Sequence, residues 1–164
     1  MIRRAPLARP RSGGAERGSA LVEFVGASVI LLLPLIYLLL TVFHLQRASF
    51  AASEAAREAG RAFATAPTTA IGLVRATYAA RLAFEDQGID TDPQVVFTAA
   101  GAGCGDRATP VTPSLTPGAS YTVCVAQDVA LPYANNAIAA HYLHARVHVT
   151  GRYALSVDRF RAAS

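Results

Sequence analysis

Between Phe24 and Gln46 the chain carries no Asp, Glu, Lys or Arg, and Val29–Leu40 is aliphatic apart from Pro34 and Tyr37. A hydrocarbon core about 30 Å thick needs roughly 20 helical residues, so this run is long enough to cross a membrane. A secretory signal peptide has an apolar stretch of only about 7–15 residues before a small-residue cleavage site. Here the run is longer and Arg47 follows it directly. Ser49-Phe50-Ala51-Ala52 nevertheless imitates a cleavage site, so a secreted protein cut near Ala51 stays open at this point. Glu23, immediately before the run, is costly to place in a bilayer and calls for a reason beyond anchoring.

Charge sets an orientation. Residues 1–18 hold Arg3, Arg4, Arg9, Arg11 and Arg17 against Glu16, a net of +4, which equals the formal charge of the whole chain. The remaining Arg and acidic residues cancel. Positive residues beside a span stay in the cytoplasm, so the reading is a single-pass protein of the cytoplasmic membrane, N-terminus inside and C-terminal domain outside. The excess charge does not signal nucleic acid, because the body of the chain is formally neutral and has no basic stripe. Cys104 and Cys124 both fall on the exported side, where a disulfide forms and persists and its closure is worth roughly 3 kcal/mol; the alternative is two unpaired thiols in a reducing compartment.

Past Arg47, Ala51, Ala52, Ala55, Ala56, Ala59, Ala62 and Phe63 recur at spacings of three and four, with Glu54, Arg57, Glu58 and Arg61 between them. The spanning helix therefore continues into the aqueous phase and ends near Pro67, with a stripe of small residues suited to close packing on a helix or sheet. Pro34 removes one backbone hydrogen bond, so a kink or local melting is expected there. Thr68 or Thr69 caps a second helix, whose apolar stripe is Ile71, Val74, Tyr78 and Leu82 and whose stop is Gly88.

The period then changes. Gln94–Thr98 is strand-like, Gly101–Gly118 reads as a long flexible Gly/Pro/Thr loop, and Tyr121–Leu131 places Tyr121, Val123 and Val125 on one face. A last strand sets Leu143, Ala145, Val147 and Val149 against His144, Arg146, His148 and Thr150. The expected class is α+β: a long N-terminal transmembrane helix extending into an exported domain with a second helix and a small antiparallel sheet. Its divisions are a basic cytoplasmic leader, 1–18; the transmembrane helix, 19–46; and the extracytoplasmic domain, 47–164.

Candidate chemistry is thin. His141, His144 and His148 share a face only on a helix, and the alternation around them indicates a strand with no acidic or cysteine partner nearby in sequence, so no metal site is assigned. Gly101-Ala102-Gly103-Cys104-Gly105 lacks the GxGxxG spacing and opens no helix. No nucleophile and base stand at a telling spacing. No enzyme activity, catalytic residue or cofactor is expected.

A short basic leader, Gly18, and a long apolar helix with glutamate at its fifth position resemble the processing site of the type IV prepilin family. Arg17-Gly18-Ser19-Ala20-Leu21-Val22-Glu23-Phe24 and Ala51–Arg61 are most similar to the TadE-like proteins, pseudopilins of tight-adherence pilus systems. The resemblance covers roughly the first 65 residues. It implies cleavage after Gly18 by a prepilin peptidase, which removes all the net charge and frees the Ser19 amine. It also implies that Glu23 pairs with the amine of a neighbouring subunit during assembly. The implied partners are other pilins or pseudopilins, the membrane platform of the assembly machine, and membrane lipid. Many type IV pilins begin with Phe or Met where this chain would begin with Ser19. The alternative is an uncleaved, signal-anchored surface domain with a binding role.

Overall fold

The computed structural model describes residues 15–105, 107–131 and 146–160, with side chains from residue 20 onward. It has the α+β arrangement expected: helix α1 (Ala15–Ala64), helix α2 (Thr69–Glu85), and strands β1 (Gln94–Ala99), β2 (Ser120–Ala130) and β3 (Arg146–Ser156). The chain divides into two compact units, one ending at Leu39 and the other beginning at Leu40.

In the first unit the described side chains of residues 20–39 are all exposed except half-buried Ser28. This part of α1 supplies a helix long and apolar enough to cross a membrane. The expected local melting at Pro34 is not found, for helical backbone continues on both sides of it. A single missing N–H costs one bond, and long aliphatic neighbours with good helix propensity hold the rest.

The second unit is a three-stranded antiparallel sheet in the order β1-β2-β3, with α1 and α2 on one face. Alternation along the central strand explains the layering. Val123, Val125 and Val129 of β2 are buried among helix residues, while Thr122 and Cys124 point to the other face. The register carries the same face across the sheet, pairing Phe97 with Val123 and Leu155 with Tyr121. Phe63 of α1 stacks at 4.8 Å on Phe97, which meets Tyr121 edge-on at 6.5 Å. These rings close the end of the core farthest from Leu40 along α1.

The stripe of small residues packs as its size suggests. Ala48, Ala51, Ala52, Ala55, Ala56 and Ala59 are completely buried. The reason for alanine is distance. A Cβ on Gly151 would overlap the carbonyl of Ala52, and one on Gly60 would lie 2.8 Å from the Tyr153 ring. Helix and sheet meet nearly backbone to backbone at Gly151, which no larger residue permits.

Thr68 is the cap of α2, with the Ile71 N–H donating to its Oγ1 at 3.3 Å. Beyond Glu85 the chain turns at Gly88, whose φ of +68° suits glycine. The stripe that marks this helix in the sequence does not face the core. Ile71, Val74, Tyr78 and Leu82 are exposed, and the buried face is Gly72, Ala76, Ala80, Ala83 and Phe84. The helices approach too closely for larger residues: a Cβ on Gly72 would sit 2.9 Å from the Phe63 ring.

The last strand also differs from expectation. It runs six residues further than the alternation around His144 and His148 suggests, ending at Ser156. Val147 and Val149 keep the inward parity and His148 and Thr150 the outward one. Leu143, His144 and Ala145 lie outside the described residues, as does His141.

Candidate functional site

Three residues of the first unit stand on α1: Gly18 and Ser19, with Glu23 one turn after Ser19. The i, i+4 spacing places the Ser19 amide and the Glu23 side chain on one face. Glu23 is exposed, and among the described residues no basic side chain pairs with it. If the chain is cut after Gly18, Ser19 becomes the start of the helix. A carboxylate one turn in is then favoured by the positive end of the helix dipole.

The second unit contains the disulfide expected from the sequence. Cys104 and Cys124 are bonded, with their Cα atoms 5.6 Å apart. The bridge ties the long 100–118 connection to the sheet face opposite the helices. That connection is better fastened than its Gly/Pro/Thr composition suggests. The Val111 N–H donates to the Phe97 carbonyl at 2.8 Å, Gly101 N–H to Thr122 Oγ1 at 3.1 Å, and Ser114 N–H to the Tyr121 hydroxyl at 3.0 Å. Thr98 Oγ1, buried beneath it, donates to the Thr122 carbonyl at 3.3 Å. Both faces of β2 are thereby covered, one by helices and the other by a stapled loop.

His148 does have an acidic partner, contrary to the sequence reading. Its Nδ1 lies 2.8 Å from Oδ1 of Asp128, directly across the β2–β3 ladder. The partner was missed because it is twenty residues away in sequence and becomes a neighbour only through strand register. Among the described residues no group of three or more His, Cys, Asp or Glu could hold a metal ion. A cleft of about 240 Å³ beside His148 and the disulfide is lined by Gln94, Val96, Ala126 and Thr150 among others.

Two further features were not singled out from the sequence. A groove of about 350 Å³ runs between α1 and α2, with Glu54, Glu58 and Asp86 on its walls and Ala79 and Leu82 in its lining. Phe50 stands beside it on α1, 72% exposed. On α2, Arg81 is bonded to Glu85 at 2.7 Å, which holds its guanidinium pKa above the ordinary value. Compared with protein-family models, curated proteins and solved structures, the chain matches none.

Proposed function

We propose that this chain is a TadE-like pseudopilin or minor pilin, cleaved after Gly18 by a prepilin peptidase and acting in assembly of a tight-adherence pilus or a related secretion machine. The observation that carries this reading is the continuity of α1. One helix contains the small-residue Gly18–Ser19 bond, presents Glu23 one turn later, supplies an apolar segment of spanning length, and ends as the small-residue ridge of a folded domain. A helix of that layout can be held in the cytoplasmic membrane with its basic leader inside and its domain outside. Removal of the leader takes away all the net charge, and the Ser19 amine of one subunit offsets the desolvation of Glu23 on the next. An unpaired charge at mid-bilayer costs ~2.5–3.5 kcal/mol on insertion scales and less near the interface, so the pairing is modest but directional. The protein acts by assembly with other pilins, the peptidase and the membrane platform, without catalysis or a cofactor.

N-terminal sequencing of the membrane-extracted protein tests the reading. A start at Ser19 is expected. An intact leader supports the alternative of an uncleaved, signal-anchored binding domain, and a start beyond Leu45 supports secretion. Glu23→Ala is expected to leave cleavage intact and to impair assembly, read as loss of fibre-associated protein. Normal incorporation of that variant would remove the role given to Glu23.

A further inference from the structure

The second unit carries two unlike surfaces side by side along α1. The first is a ridge: Phe50, Arg57 and Arg61 at i, i+7 and i+11, which puts them in line on the outward face. Phe50 is an aromatic side chain with 72% of its surface exposed. Arg57 reaches Glu54 only at 3.8 Å, with both side chains more than half exposed. The second is the groove between α1 and α2, with Glu54, Glu58 and Asp86 around Ala79 and Leu82. Its α2 wall continues into exposed Val74 and Tyr78.

The two surfaces are complementary, one aromatic and basic, the other aliphatic and acidic. They also stand at the same height. The Arg47 guanidinium donates to the Gln87 carbonyl, and Gly72 lies against Phe63, so α2 runs antiparallel beside α1 with Leu82 near the Arg47 end. From Phe50 to Glu58 is about 12 Å along the axis, so ridge and groove occupy the same stretch of α1.

We infer that the ridge of one copy docks into the α1/α2 groove of a second copy standing beside it, with Phe50 towards Leu82 and with Arg57 and Arg61 facing Glu54 and Glu58. The inference rests on the proposed anchoring of all copies in one membrane in one orientation, but not on cleavage. Equal height is what two parallel chains anchored in one bilayer require. Lipid alone is a poorer occupant. It covers Phe50 but offers no carboxylates to arginines two and three turns higher. Because the two surfaces differ, each copy keeps one of each unused, and the contact propagates rather than closing into a two-fold pair. The contact rests on a few side chains, so it relies on the high effective concentration of membrane-confined copies.

The test uses full-length chain in its membrane, with the native cysteines bonded to each other. Differently tagged Phe50→Cys and Leu82→Cys copies are co-expressed and mildly oxidised. A disulfide heterodimer is expected, and little is expected when Phe50→Cys is paired with Arg152→Cys, which lies on the opposite face of the sheet. Arg57→Glu in the first copy should lower the heterodimer yield about fivefold. Glu58→Arg in the second copy should restore it, which a misfolded variant would not do. Predominant Phe50–Phe50 pairing, adducts equal to the Arg152→Cys control, adducts to a different protein, or no rescue by the reversed pair would overturn the inference. An anchored but uncut chain that still forms the heterodimer would sink the pseudopilin reading and leave this contact standing.

Discussion

Residues 20–39 and residues 48–63 belong to one helix and use their side chains in opposite ways. In the first, leucine, isoleucine and valine stand exposed all round; in the second, alanine is completely buried while the charged residues stay outside. The usual association of large apolar residues with the interior is reversed. Burial is set by what neighbour a face meets, and residue size follows from how near that neighbour comes. A lipid-compatible face needs bulk and no polar groups. A face against the sheet at Gly151 needs almost no side chain at all.

That contrast can be broken by changing size in each region and following unfolding of the second unit in detergent. Phe63→Ala, which removes a fully buried ring from the end of the small-residue stripe, is expected to cost about 4 kcal/mol. Ala55→Leu adds bulk where none fits and should cost about 2 kcal/mol, seen as a lower denaturant midpoint with little change in slope. Leu33→Ala, 63% exposed in the first unit, should leave the same transition within about 0.5 kcal/mol. A Leu33→Ala effect as large as that of Ala55→Leu would mean that this residue has a protein neighbour and would end the comparison.

Much of the fold can be read from the chain. The continuous helix, the Thr68 cap, the first two strands and the cysteine pair follow from apolar run length, capping chemistry, period and cysteine count. The buried face of α2 does not. Ile71, Val74, Tyr78 and Leu82 are its most hydrophobic residues, yet Gly72 and the alanines form the close contact, because hydrophobic period shows that two faces differ without showing how near the next element lies. The extent of β3 was hidden by Gly151, an interruption in pattern that is a requirement in space. At the candidate site, Gly18, Ser19 and Glu23 were legible as local spacing. The groove of Glu54, Glu58 and Asp86 and the His148–Asp128 pair were not, since each unites elements distant in sequence.

The Cys104–Cys124 bridge has a consequence beyond loop closure. It is a covalent record of the compartment in which the domain matured. A domain retained where thiols are kept reduced carries two groups that an alkylating reagent can tag once the chain is unfolded, whereas a domain that reached an oxidising space carries none. One gel shift on unfolded protein from whole cells therefore reports, molecule by molecule, which side of the membrane each copy has reached.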